Sequence, residues 1–185
     1  MSAENIYFDI EADGDVLLGL RFPDDPYNMN WIEGTVPWGT VKVPDAISIS
    51  VKREYTPQNS LRETYCFTNK SNFPFFTQIG DIGIYTPFND SYHEAKFCLH
   101  NRCHAHIWCG GTSSHVMALR MGGEAPHLGL VLTKGSLAHY SVERDISLLC
   151  NDRGDFIIHP SAMELLPGES AVVEWELFRH KGKED

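Results

Sequence analysis

Two stretches decide the fold: ISISVKREY at Ile47–Tyr55 and LRETYCFTN at Leu61–Asn69. In the first, Ile47, Ile49 and Val51 fall on one side of an extended chain and Ser48, Ser50 and Lys52 on the other. Successive side chains of a β-strand point to opposite faces, so this spacing segregates apolar from polar groups. In the second, Leu61, Glu63, Tyr65 and Phe67 alternate with Arg62, Thr64, Cys66 and Thr68. A period of two sustained over this length is the pattern of a strand with one face buried and the other wet.

Similar β-rich or alternating runs continue in both directions. They include Ile6–Ala12, Asp15–Phe22, Gly39–Val43, EAKFCLH, CHAHIWC, SHVMALRM, HLGLVLT, AHYSVER, DFIIHP and AVVEWELF. Asp13-Gly14 reads as a hairpin turn between two of them, and Pro167-Gly168 as a turn before the last. The run from Phe67 to Asp90, broken by Gly80 and Gly83, predicts a bent or bulged strand. Asp81 inside it is either a buried carboxylate in need of a partner or an aspartate at a turn or edge. In SVERDISLLC, Val142, Ile146 and Leu149 are also spaced for a short helical turn, but the stretch is read as strand, then irregular chain. The 15 glycines and 10 prolines are spread throughout and leave little room for long helices. A dozen or more strands with few helices predict an all-β protein, a large two-sheet antiparallel β-sandwich with residues 1–185 as one domain.

Composition narrows the function. The net charge of −10 repels phosphate backbones and anionic lipid, so neither nucleic acid nor a membrane surface is expected as a partner. The amino-terminal MSAENIYFDIEADGD has no basic region and no apolar run, and no stretch approaches the ~18 apolar residues of a membrane span. Five cysteines, an odd number, point to reduced thiols and a cytoplasmic location.

The densest chemistry lies in EAKFCLHNRCHAHIWCGG, which holds Cys98, His100, Cys103, His104, His106 and Cys109. These residue types bind zinc, but the spacing lacks paired C-x2-C motifs. If Asn101-Arg102 is a hairpin turn, one face carries Cys98, His100, Cys103, Ile107 and Cys109. The other carries Phe97, Leu99, His104, His106 and Trp108. The six candidate ligands then do not converge. Cys98, His100 and Cys103 could form a three-ligand corner, and His104 with His106 a His-x-His pair, the alternative metal site. Buried thiols beside hydrogen-bonded histidines account for the same residues without a metal, and no cofactor is expected.

A second constellation joins Trp31, Trp38, Trp108 and Trp175 with Arg120, Glu143, Arg144, Asp81 and Asp90. Sugars present apolar C–H faces ringed by hydroxyls, so their sites combine an aromatic platform with charged or imidazole groups at its edge. Trp31, Trp38, His104, His106, Trp108 and Arg120 are the candidate carbohydrate-binding residues. Trp175, inside VVEWELF, reads as core.

At these residues a resemblance enters. LRETYCFTNKSNFPFF and LLPGESAVVEWELF are similar to strands of galactose-mutarotase-like β-supersandwiches. GDIGIYTPFNDSY and CHAHIWCGG resemble segments of large bacterial proteins in which such a sandwich precedes an (α/α)6 barrel, as in glycoside hydrolases and phosphorylases. The resemblance spans roughly Ile6 to Lys183. It implies a domain that binds or frames carbohydrate beside a catalytic partner domain and is not catalytic alone. In mutarotases a histidine and a glutamate move a proton at the anomeric centre, which implies His104 or His106 with Glu143 as an alternative, epimerase-like acid–base pair. A purely structural scaffold packed on a partner domain is the remaining expectation.

Overall fold

The computed structural model describes residues 7–10, 17–21, 41–58, 60–86, 103–123, 125–143, 155–182 and 184. Every regular element among them is a strand. In chain order these are β1 (Tyr7–Ile10), β2 (Leu17–Arg21), β3 (Val41–Lys42), β4 (Ile47–Tyr55), β5 (Leu61–Asn69), β6 (Phe75–Phe76) and β7 (Gly83–Thr86). They continue as β8 (Cys103–Trp108), β9 (His115–Arg120), β10 (His127–Lys134), β11 (Leu137–Glu143), β12 (Asp155–Pro160), β13 (Glu164–Leu165) and β14 (Ser170–His180). A six-stranded antiparallel sheet runs β4-β5-β14-β10-β9-β8, and a four-stranded one runs β11-β12-β7-β3. Two small ribbons, β1-β2 and β13-β6, complete the set.

The two large sheets form a sandwich because each has one apolar face. Leu61, Tyr65 and Phe67 of β5, Val173, Trp175 and Leu177 of β14, and Leu128, Leu130 and Leu132 of β10 are buried in one cluster with Ile84 of β7 and Ile158 of β12. In β5 burial alternates without interruption from Leu61 to Asn69, as its side-chain pattern requires. On the opposite, outer face of the same sheet, Arg62 binds Glu176 through Nη2 at 2.6 Å, and Lys52 binds Glu54 at 2.7 Å.

An ion pair interrupts the apolar inner face. Glu63 is fully buried, and the register sets it directly between Arg53 of β4 and Trp175 of β14. Arg53 Nε donates to its Oε1 (2.9 Å) and Trp175 Nε1 to its Oε2 (2.7 Å). The charge is thus paired and hydrogen-bonded, the condition under which a buried carboxylate is tolerated. Tyr65 packs its ring 4.9 Å from that of Trp175, and burial holds its hydroxyl well above the usual phenol range.

The structure revises several expectations. The Phe67–Asp90 run is not one bulged strand. β6 and β7 are separate, and the chain turns between them at Gly80, which adopts a left-handed φ of 100°. Asp81 is an exposed turn residue whose Oδ2 accepts from the Gln78 N–H at 2.8 Å. Gly39–Val43 contributes only β3. The turn at Pro167-Gly168 is present, with Gly168 at φ 78° and Glu169 Oε2 accepting from the Leu166 N–H. β1 and β2 pair as a hairpin, although the Asp13-Gly14 turn itself lies outside the described residues. EAKFCLH and residues 144–150 also lie outside them. Among the described residues no helix is long and apolar enough to cross a membrane.

The chain passes from one sheet to the other between β10 and β11. Gly135 (φ 89°) turns there, and a Cβ at this position would stand 2.6 Å from the Val172 carbonyl. Leu137, the first residue of β11, exchanges two backbone hydrogen bonds with Gly111. This bridge ties the β8–β9 turn to the other sheet.

Candidate functional site

The pinned turn carries the candidate site. β8 comes last in the six-stranded sheet among the described strands, and its alternation turns Cys103 inward and His104, His106 and Trp108 outward. Trp108 is 60 % exposed and both imidazoles are exposed. The three groups therefore stand together on an open face rather than in the interior, on the side the strand parity predicts. Pairing with β9 sets Trp108 opposite His115, His106 opposite Met117 and His104 opposite Leu119. Directly opposed side chains on one face lie ~5 Å apart at Cβ, so Trp108 and His115 are neighbours.

The loop after β8 sets the attitude of the indole. A Cβ on Gly110 would overlap Nε1 of Trp108 and lie 2.9 and 3.0 Å from its Cε2 and Cδ1. The ring therefore folds over a glycine backbone that leaves room for it. The loop is fastened by Ser114 Oγ donating to Gly111 O (2.7 Å) and by the Gly111–Leu137 bridge. His115 Nδ1 donates to the Ser113 carbonyl at 3.4 Å.

Beyond β9 the face continues onto β10 and β14. Exposed Val131 lies opposite His115 on one side and Glu176 on the other. Thr133 Oγ1 donates to Glu174 Oε1 (3.0 Å), and Arg62 stands between Glu176 and Glu174. The surface thus passes from an aromatic and imidazole edge to a belt of carboxylate, guanidinium and hydroxyl groups. Such a face offers C–H stacking at one end and hydroxyl pairing at the other.

The other sequence candidates fall elsewhere. Trp31 and Trp38 lie outside the described residues, as do Asp90 and Arg144. Arg120 ends β9 opposite Cys103, and only its backbone is described. The backbone of Glu143 ends β11, in the other sheet from His104 and His106. Trp175 is core. Cys103 is buried and Cys109 half-buried, where burial pushes the Cys109 thiol up. Among the described residues no group of three or more His, Cys, Asp or Glu side chains is placed to hold a metal. The hairpin partner Phe97–His100 lies outside the described residues, and His115 enters the site through β9, whose pairing with β8 the local pattern does not specify.

A second histidine cluster occupies the four-stranded sheet. His159 Nδ1 donates to Ile82 O (2.9 Å), which leaves Nε2 to accept from the Ser141 hydroxyl (2.8 Å). The His139 ring stacks on it with centroids 4.4 Å apart. Burial lowers the His159 pKa, opposed by the Ile82 carbonyl and reinforced by His139. Both ring nitrogens are satisfied, so the cluster reads as structure.

No family model matches the chain, and no curated protein matches it. Among solved structures it is similar to a polysaccharide lyase, with a TM-score of 0.84 and 32 % identity. The match covers 100 % of this chain and 34 % of that one. The chain therefore spans about a third of the length of a carbohydrate-active protein that shares its fold.

Proposed function

We propose that this chain is the carbohydrate-framing β-sandwich of a longer polysaccharide-active protein, and that it holds the polysaccharide against Trp108. The observation that carries this reading is the match to one third of a polysaccharide lyase along the whole chain. Trp108 with His104, His106 and His115 supplies the contact surface. The sandwich is of the galactose-mutarotase-like kind that the strand motifs resemble, and cleavage of the polymer belongs to the remainder of the longer protein. An epimerase-like pair of Glu143 with His104 or His106 draws no support from strands that lie in different sheets. The unbridged thiols of Cys66 and Cys109 fit a reducing compartment, the cytoplasm.

Calorimetric titration against neutral and acidic polysaccharides tests the proposal. Binding is expected for at least one polymer. Trp108→Ala should weaken it by about 2 kcal/mol, roughly 30-fold in Kd, as for an aromatic anchor at a binding surface. No heat across a broad panel, or a Trp108→Ala variant that binds like wild type, overturns it.

A further inference from the structure

The end of the sandwich where β6 pairs with β13 carries four large apolar side chains turned to solvent. Phe73 is 75 % exposed and Phe76 63 %, while Ile79 and Leu166 are each more than half exposed. Backbone geometry gathers the segments that carry them. The register places Phe75 opposite Leu165 and Phe76 opposite Glu164, with the first pair turned inward and the second outward. Asn69 Nδ2 donates to both Phe73 O (2.8 Å) and Leu165 O (2.9 Å), which sets those two segments side by side. Ile79 follows Thr77, whose N–H donates to Met163 O and whose Oγ1 accepts from Met163 N–H.

These bonds hold the patch in one arrangement before anything binds. At roughly 200 Å² per phenylalanine ring, the two exposed rings leave on the order of 300 Å² to water. Ile79 and Leu166 add to that, which brings the exposed apolar area into the range of the largest patch on a typical monomer, a size that is often functional. Its rim is acidic: Asp81, Glu164 and Glu169 are exposed around it, beside Lys70.

We propose that this patch is a docking surface within a longer polypeptide, occupied by an apolar, basic-rimmed surface of the part outside these residues. The proposal rests on the reading of the chain as one domain of a longer polysaccharide-active protein. Two observations favour this occupant over a second copy. The lyase match uses 34 % of that chain and leaves the larger share available to pack on the sandwich. The acidic rim repels its own duplicate and attracts a cationic one. Phenylalanines at the centre with charges at the margin are the usual anatomy of such a contact.

Hydroxyl-radical footprinting of Phe73 and Phe76 tests it, read by mass spectrometry in the 185-residue chain and in the natural polypeptide that contains it. Labelling at both rings is expected to fall severalfold in the longer protein. Tyr55, exposed at the opposite end of β4, should label equally in both. Equal labelling of the phenylalanines overturns the proposal, as does a natural polypeptide with nothing beyond these residues. Protection that arises instead from concentration-dependent dimerisation of the short chain also overturns it. A Phe73→Ser/Phe76→Ser variant should leave the short chain's melting temperature unchanged and uncouple the sandwich from the rest of the longer protein. If that variant fails to fold, the wild-type footprint still decides. Saccharide titration of the same samples separates the two readings. Protected phenylalanines without binding sink the saccharide reading alone, and binding with exposed phenylalanines sinks the docking surface alone.

Discussion

Replacing Glu63 by alanine should be among the most damaging single changes in the molecule, although Glu63 touches no proposed ligand. The Glu63 side chain is 0 % exposed and that of Arg53 3 %, so the pair meets almost no water. Removing the carboxylate leaves the guanidinium buried with its ion partner gone and takes the acceptor from Trp175 Nε1. Breaking a buried pair from one side costs about 3–5 kcal/mol. With an m-value of about 2 kcal/mol/M for a protein of this size, the urea midpoint should drop by about 2 M. The thermal midpoint should fall by on the order of 10 °C. Glu63→Gln keeps an acceptor for Trp175 and should lose less. An Arg53→Met/Glu63→Leu double variant removes both charges and should recover most of the loss, remaining within about 1–3 kcal/mol of wild type because the indole N–H stays unpaired. Equilibrium urea unfolding followed by tryptophan fluorescence gives each value. A midpoint shift below about 0.5 M for Glu63→Ala, well under the cost of a broken buried pair, would refute the claim that this ion pair is dry and essential.

Other expectations follow from the same geometry. Gly110→Ala should push the indole of Trp108 off the loop and weaken saccharide binding nearly as much as Trp108→Ala, with the urea midpoint unchanged; titration and unfolding of the one variant check both halves. The lowered pKa of His159 means the unfolded chain takes up its proton first as pH falls. Stability from this group is therefore complete above the unfolded value near 6.5 and is lost as pH drops through the folded value, a slope that His159→Gln should reduce in unfolding measured from pH 7.5 to 5. Asn69→Ala removes two carbonyl partners and the acceptor for Ser71, and should cost about 2–3 kcal/mol by urea unfolding. Gly135→Ala should also destabilise, since it forces a side chain into a left-handed turn and against the Val172 carbonyl.

The strands were readable because alternation is a local property. Leu61–Asn69 and Cys103–Trp108 each present the faces their spelling implies, and that alone sets His104, His106 and Trp108 outside. Pairing is not local. Nothing in CHAHIWC says that its described neighbour is SHVMALRM, so His115 was missed. Glu63 stood in the apolar register of its strand, where a carboxylate signals a buried partner, but the partners come from residues 10 and 112 positions away. The apolar composition of NFPFF does not say which of its side chains meet water. Its exposure depends on where β13 ends and on Asn69 reaching across to Leu165.

The position of β14 has a consequence for how the molecule is made. This strand comes after every other strand in the chain, yet it lies between β5 and β10 in the larger sheet. Until it emerges from the ribosome, β5 and β10 each wait with an unsatisfied edge and an exposed apolar face, more than a hundred residues after β5 was translated in the first case. Pairing across such separations is slow and leaves the waiting edges open to the wrong neighbour. Synthesis of this sandwich should therefore lean on chaperones until β14 has emerged, and a premature stop before Ser170 should yield aggregate instead of a smaller sandwich.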